Sequence, residues 1–248
     1  SVAQLLSPAD ITELLGSLGL RPRRSLGQNF LADPNTARRI TRLAGVQEGD
    51  RVLEIGPGIG SLTLSLAEVA AEVVAVELDR ALLPLLERVL AGVDNVQIRH
   101  ADAMEVDLAA LLAHWSGRWR MVSNLPYNIA TPLVMRVLAE VPAVESLFVM
   151  VQREVGDRLA ARPGSKAYGA VSVKVAYYAS ATVLGEVPPS VFVPKPKVTS
   201  ALVRLDRRPA PPIEIDSEER FFALVHAGFA QRRKTLRRSL RCVLGADA

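Results

Sequence analysis

The chain has 248 residues, 49% hydrophobic and 23% charged, with a net charge of +4; that length fits one large α/β domain and a small appendage. No apolar run approaches the ~20 residues of a membrane span and no secretory signal opens the chain, so neither a membrane partner nor secretion is expected. The lone cysteine, Cys242, excludes an internal disulfide and a cysteine-based zinc site, and His100, His114 and His226 are scattered, which together predict a cytoplasmic protein without a metal.

Ser7-Pro8-Ala9-Asp10 reads as a helix start, with a capping Ser and Pro at the first helical position, and it feeds Ile11, Leu14 and Leu15. The stretch Arg21 to Phe30 is basic and irregular. Strands are expected at Arg51–Ile55, Glu72–Glu77, Val96–His100, Arg120–Asn124, Ser146–Val151, Val173–Tyr178 and Ala201–Leu205. Between the early strands, Leu62/Leu66/Val69 and Leu82/Leu85/Leu86/Val89 carry helical spacing. Alternating strands and helices predict a mostly parallel sheet covered on both faces, with ligands at the carboxyl ends of its strands. Arg207–Ile213 is a proline-rich linker, and Ser217-Glu218-Glu219 opens a helical tail containing Phe221, Phe222, Leu224, Val225 and Phe229.

Glu54-Ile55-Gly56-Pro57-Gly58-Ile59-Gly60 lies between a strand and a helix. Its glycines allow a sharp turn and a close ligand approach, because no Cβ intervenes. A dinucleotide fingerprint would need its third Gly at position 61, where Ser61 stands; Gly56, Gly58 and Gly60 instead follow G-x-G-x-G. That turn alone fits a bare strand-to-helix connection, an NAD site or a cofactor without a pyrophosphate. Two carboxylates narrow the choice. Glu77 ends the second strand, where it can accept hydrogen bonds from both ribose hydroxyls, and Asp102 follows the third, where it can accept from an adenine amine. In this order the three elements form an S-adenosylmethionine pocket. No G-x-x-x-x-G-K-[ST] run is present, which argues against an ATP or GTP hydrolase.

The fourth strand ends in Asn124-Leu125-Pro126-Tyr127. Pro126 disfavours helical geometry at Leu125 and fixes its own φ, so the Leu125 carbonyl takes a defined direction. That carbonyl and the Asn124 side-chain oxygen match the two hydrogens of an exocyclic adenine amine, and Tyr127 offers a stacking face. A strand end with a turn would look similar, but this one follows the Gly-rich, Glu77 and Asp102 elements.

Charge is unevenly distributed. From Val191 onward twelve Lys and Arg face six Asp and Glu, whereas the first 190 residues carry eighteen against twenty. Arg232, Arg233, Lys234, Arg237, Arg238 and Arg241 form a cluster expected to be helical, with Arg233, Arg237 and Arg241 on one face and Leu236 and Leu240 on another. Alone, such a run is as often a solvated face as a binding surface. With Lys195, Lys197, Arg21, Arg23 and Arg24 it becomes a candidate phosphate track for nucleic acid.

Together these motifs resemble the ribosomal RNA small-subunit adenine dimethyltransferase family, the KsgA/RsmA group, over nearly the whole chain. The matching pieces are Leu26-Gly27-Gln28-Asn29-Phe30-Leu31, the Gly-rich turn, Glu77, Asp102, Asn124–Tyr127, Phe192-Val193-Pro194-Lys195-Pro196-Lys197-Val198 and Gln231-Arg232-Arg233-Lys234-Thr235-Leu236. The first and the last two are far less generic than a Gly-rich loop; Arg238-Ser239 departs from relatives that more often carry Asn there. The resemblance implies a Rossmann-like seven-stranded methyltransferase sheet over residues 1–206 and a small helical RNA-binding domain over 207–248. It implies cofactor contacts at Gln28, Asn29, Leu31, Gly56, Gly58, Gly60, Glu77, Asp102 and Asn124, and Phe192 as a second aromatic wall opposite Tyr127. The implied reaction is dimethylation of two adjacent adenosines in a hairpin loop near the 3′ end of small-subunit ribosomal RNA, by a monomer acting on the small subunit or its precursor. Two alternatives accompany it: a large-subunit adenine methyltransferase of the antibiotic-resistance type, and an assembly factor acting mainly by binding. Intact Glu77, Asp102 and Asn124–Tyr127 favour catalysis over the latter.

Overall fold

The computed structural model describes residues 6–245, apart from the Cys242 side chain, so the inferences drawn from that thiol lie outside the described residues. In chain order the elements are α1 (Pro8–Ser17), β1 (Phe30–Leu31), α2 (Pro34–Leu43), β2 (Arg51–Ile55), α3 (Ser61–Ala67), β3 (Glu72–Glu77), α4 (Leu83–Val89), β4 (Val96–His100), α5 (Leu108–Leu112) and β5 (Trp119–Asn124). They continue as α6 (Ala130–Glu140), β6 (Val144–Gln152), α7 (Arg153–Leu159), α8 (Ala170–Tyr178), β7 (Ala179–Val187), β8 (Phe192–Val193), β9 (Ser200–Arg207), α9 (Glu218–Ala230) and α10 (Leu236–Leu244). The expected start of α1 is present as a reciprocal cap, in which the Ser7 N–H donates to Asp10 and the Asp10 N–H donates to Ser7 Oγ.

Seven strands form one sheet in the order β4-β3-β2-β5-β6-β9-β7. The first five are parallel, and β9 runs antiparallel to both β6 and β7. Val52 and Leu53 of β2, and Val73, Val74 and Ala75 of β3, are fully buried, as a sheet covered on both faces requires. The connections reverse direction between β2 and β5, which creates a crevice at their carboxyl ends. The β2–β5 ladder stops at Leu53 and Met121, and the Ile55 N–H donates instead to Ser123 Oγ at 2.9 Å. The strands splay there, and the Gly-rich turn and the Asn124 turn flank the gap.

The structure departs from the expected pattern in three places. The stretch Val173–Tyr178 is helical, and the strand begins at Ala179. Alternating Val171, Val173, Val175 and Tyr177 mimics a strand. Tertiary contacts decide otherwise: Ser172 Oγ donates to the Arg158 carbonyl at 2.6 Å, Val175 is buried, and the Tyr177 ring meets Phe222 edge-on at 5.5 Å. The basic cluster is not one helix. Thr235 caps α10 by accepting the Arg238 N–H, so Arg232, Arg233 and Lys234 lie on the turn between α9 and α10, and Arg233 shares no helical face with Arg237 and Arg241.

The linker region is shorter than expected on its amino side, because β9 extends through Arg207. The Arg207 guanidinium donates to the carbonyls of Val137, Leu138 and Val141, closing the carboxyl end of α6 and anchoring the last strand.

Candidate active site

A cavity of about 230 Å³ opens at the crevice between β2 and β5. It gathers the turn after β2 (Gly56, Pro57, Gly58), the end of β3 (Glu77), the loop after β4 (Asp102), the turn after β5 (Asn124, Leu125, Pro126), and Gln28, Asn29 and Leu31 from the amino-terminal segment. Segments far apart in sequence therefore meet where the strands end.

Two glycines are required by geometry. Gly56 has φ +71°, and a Cβ there would sit 3.2 Å from the Pro126 ring; Gly58 has φ +59°, and a Cβ would sit 2.8 Å from Phe30 Cδ1. The turn after β2 is thus pressed against both the target turn and the amino-terminal segment. Gly60 also has positive φ but packs against Leu86 outside the cavity lining, so its role is to admit α4.

Glu77 is 5% exposed and lines the cavity. The Gly58 N–H donates to one of its carboxylate oxygens at 3.0 Å and the Asp79 N–H to the other at 2.8 Å. Burial pushes its pKa above the ordinary carboxylate range, and those backbone donors oppose the shift. Each oxygen retains lone-pair capacity toward the cavity, as a ribose diol needs. Asp102 is held similarly, its Oδ1 accepting the Met104 N–H at 2.8 Å.

The amino-terminal segment is tied to both sides. Gln28 donates from Nε2 to Asp79 Oδ2 at 2.8 Å, and Asn29 accepts at its carbonyl from Asn124 Nδ2 at 3.1 Å. Gly27, at φ +63°, leaves room for Tyr127 and Asn128, since a Cβ there would meet the Tyr127 nitrogen at 3.0 Å and Asn128 Oδ1 at 2.9 Å. The ring of Tyr127 stands beside the cavity rather than on its wall; its hydroxyl pairs with Ser200 Oγ at 3.2 Å, and burial raises its pKa. Phe192 also lies off the wall. It is 3% exposed and pairs in register with Leu31 across the short β1–β8 ribbon, which no sequence pattern suggested.

Three contributors went unassigned in the sequence. Glu54 is 1% exposed on the cavity wall and accepts from Thr63 Oγ1 at 2.6 Å; desolvation, with Glu77 nearby, pushes its pKa up to about 8. Its signal is a carboxylate set between the apolar Val52, Leu53 and Ile55 of one strand. Asp79 is the second, two residues beyond Glu77. Ser61 is the third: its buried Oγ on the cavity wall has no hydrogen-bond partner among the described residues.

Arg21, Arg23, Arg24, Lys195, Lys197, Arg232, Arg233, Lys234, Arg237, Arg238 and Arg241 all reach the surface. The first three precede the cavity segment, and Lys195 and Lys197 follow β8, which pairs with β1. The tail reaches the main body elsewhere, through Arg232 to the Lys166 carbonyl and through Tyr168 packing edge-on against Phe229. Among the described residues no group of His, Cys, Asp and Glu could hold a metal, and no helix is long and apolar enough to cross a membrane.

The site fits S-adenosylmethionine. Two fixed carboxylates face an apolar wall of Ile55, Val76, Leu82 and Met104, and the unpartnered Ser61 hydroxyl suits a polar ligand group.

Residues 19–248 match the family model described as ribosomal RNA adenine dimethylase. A relative from Magnetococcus marinus, named ribosomal RNA small subunit methyltransferase A, is 49% identical over 93% of this chain and 82% of its own length. Among solved structures, a dimethyladenosine transferase from Plasmodium falciparum superposes with a TM-score of 0.73 at 25% identity, covering 86% of this chain and 74% of that one. A 23S rRNA methyltransferase, ErmE, superposes with a TM-score of 0.70 at 28% identity, covering 87% of this chain and 84% of that one.

Proposed function

Because this chain belongs to the ribosomal RNA adenine dimethylase family, we propose that it transfers two methyl groups to the exocyclic amine of each of two adjacent adenosines in a small-subunit ribosomal RNA loop. The observation that carries this reading is the clasp at the end of β5, where Asn124 is oriented by the Asn29 carbonyl beside a cavity suited to S-adenosylmethionine. Small-subunit RNA is favoured over large-subunit RNA by the 49% identity to a small-subunit methyltransferase, against 28% to ErmE.

Bound S-adenosylmethionine supplies a methyl group on a positively charged sulfur, electrophilic enough to need neither a metal nor a covalent enzyme adduct. Glu77 would take the ribose hydroxyls and Asp102 the adenine amine of that cofactor. Asn124 Oδ1 and the Leu125 carbonyl would accept the two hydrogens of the target amine, draw it out of planarity and direct its lone pair toward the methyl. These same oxygens stabilise positive charge as it develops on nitrogen, a preorganised electrostatic effect. Alignment contributes ~7–11 kcal/mol in well-oriented reactions, so positioning does most of the catalytic work here. Tyr127 would stack on the splayed base; Phe192 would join it as a second wall only after the β8 segment yields.

A loop substrate suits this site, since an unpaired base costs least to splay out. Monomethyladenine keeps one N–H for a second round. Dimethyladenine has none and leaves an acceptor unpaired, which favours release. The exposed arginines and lysines would track the phosphates. On this reading the catalytic part ends near residue 206 and the RNA-binding part follows. The protein acts as a cytoplasmic monomer on the small subunit or its precursor.

Incubation with methyl-labelled cofactor and separated ribosomal RNAs, followed by nucleoside analysis, tests the reading. Label is expected in N6,N6-dimethyladenosine of small-subunit RNA. Label confined to large-subunit RNA, or found in cytosine, would overturn it.

A further inference from the structure

Asp79 makes more interactions than a turn needs. Its side chain is 4% exposed, yet it reaches an exposed partner: Arg23 Nη1, on a side chain 56% exposed, lies 3.4 Å from Oδ1. Oδ1 also accepts the Ala81 N–H at 3.1 Å, and Oδ2 accepts from Gln28 Nε2 at 2.8 Å. Capping the turn after β3 uses one oxygen; the other oxygen and the charge are directed at the amino-terminal segment.

From Asp79 the connections run three ways. Its own N–H donates to Glu77 Oε1 at 2.8 Å. Gln28 passes the link on, because its Oε1 accepts the Arg23 N–H at 2.7 Å, which sets the backbone of the basic Arg21–Arg24 stretch. The next residue, Asn29, accepts from Asn124 Nδ2. A single buried carboxylate therefore joins the candidate ribose anchor, the basic segment and the adenine clasp.

We infer that Asp79 is a positioning residue that couples cofactor occupancy to RNA capture, by holding the Arg21–Asn29 segment in the geometry that Glu77 adopts when engaged. The inference rests on the RNA-methylating reading above and adds a residue to it. Linkage then requires reciprocity: cofactor tightens RNA binding, and RNA tightens cofactor binding by the same factor. Couplings of this kind span about 5- to 150-fold.

The test uses the full chain with S-adenosylhomocysteine and small-subunit ribosomal RNA as probes. In the native protein, S-adenosylhomocysteine is expected to raise RNA affinity by about fivefold or more and to slow tryptic cleavage after Arg23 and Arg24. Asp79→Asn is expected to abolish both effects, because its amide cannot match the two acceptor oxygens and lacks the charge for Arg23. The double variant Asp79→Asn/Gln28→Glu restores a donor facing an acceptor and returns the Arg23 ion pair to position 28, so coupling should recover. Gln28→Met severs the link without touching the turn, and serves if Asp79→Asn fails to fold. Coupling that persists in Asp79→Asn or in Gln28→Met, or a double variant as uncoupled as the single, would overturn the inference. A native protein that binds and couples but methylates no adenine would instead sink the functional reading alone.

Discussion

The Asn124 side chain donates from Nδ2 to the Asn29 carbonyl at 3.1 Å, so a residue 95 positions earlier fixes which way the amide faces. With its nitrogen committed there, the amide presents Oδ1 as an acceptor, the polarity a target amine requires.

Asn124→Ala is therefore expected to lower methyl transfer by about 10²–10³-fold, the usual loss on removing one preorganised transition-state contact. Cofactor affinity should change less than turnover, because Glu77 and Asp102 keep their places while the Asn124 tie to the Asn29 carbonyl is lost. Single-turnover rates alongside calorimetric titration separate the two. Near-normal turnover would refute the two-acceptor clasp.

Gly58→Ala combines positive φ with a contact at 2.8 Å to Phe30. Strain of roughly 1–3 kcal/mol is expected, enough to lower Tm by several degrees and to weaken cofactor binding as the turn withdraws. Gly164→Ala is the matched control: it also has positive φ, but nothing surrounds its missing Cβ. A variant at Gly58 that melts and binds like the control would show that the Phe30 contact is dispensable.

Glu54 has its pKa raised from 4.5 to about 8. Between those values the folded protein holds a proton that the unfolded chain has released, so stability falls as pH rises from about 4.5 toward 8. Glu54→Gln removes this dependence, and the difference in Tm between native and variant should shrink at low pH and grow in the variant's favour toward pH of about 8. A cationic cofactor beside Glu54 favours the ionised form, so binding near neutral pH should release a proton. Calorimetry in buffers of different ionisation heat measures it, and binding heats that do not vary with the buffer would contradict the assignment.

Replacing Arg232, Arg233 and Lys234 together by glutamine should flatten the slope of log affinity against log salt for RNA, by roughly 0.7 for each phosphate no longer neutralised. The same three are exposed on a turn, and the contact from Arg232 to the Lys166 carbonyl is long, at 3.4 Å, and solvent-exposed, so melting temperature should hardly move. Unchanged affinity and slope would put the phosphate track on the amino-terminal and β8 basic residues instead.

Much of the site was legible before any fold was known. Gly56, Gly58, Glu77, Asp102 and Asn124 announce themselves because each stands at or just past the carboxyl end of a strand, and parallel pairing brings those ends to one edge of the sheet. Val173–Tyr178 misled, since a period of two in small β-branched residues fits a strand as well as a short helix packed on Phe222 and Arg158. The basic tail misled through charge, which says nothing about where Thr235 will cap.

Sequence alone determined the chemistry on offer: glycines that only a tight turn explains, acids at strand ends, and an Asn-x-Pro-Tyr turn with two acceptors. The tertiary structure decided how these act together, because the hydrogen bonds and packing concerned join residues 51 to 95 positions apart: Gln28 to Asp79, Asn124 to Asn29, and Pro126 to Gly56. Local spacing encodes helices and strands through short-range sterics and hydrogen bonds. Which carboxylate is buried, and which amide is turned by a distant carbonyl, depends on packing that only the closed sheet creates.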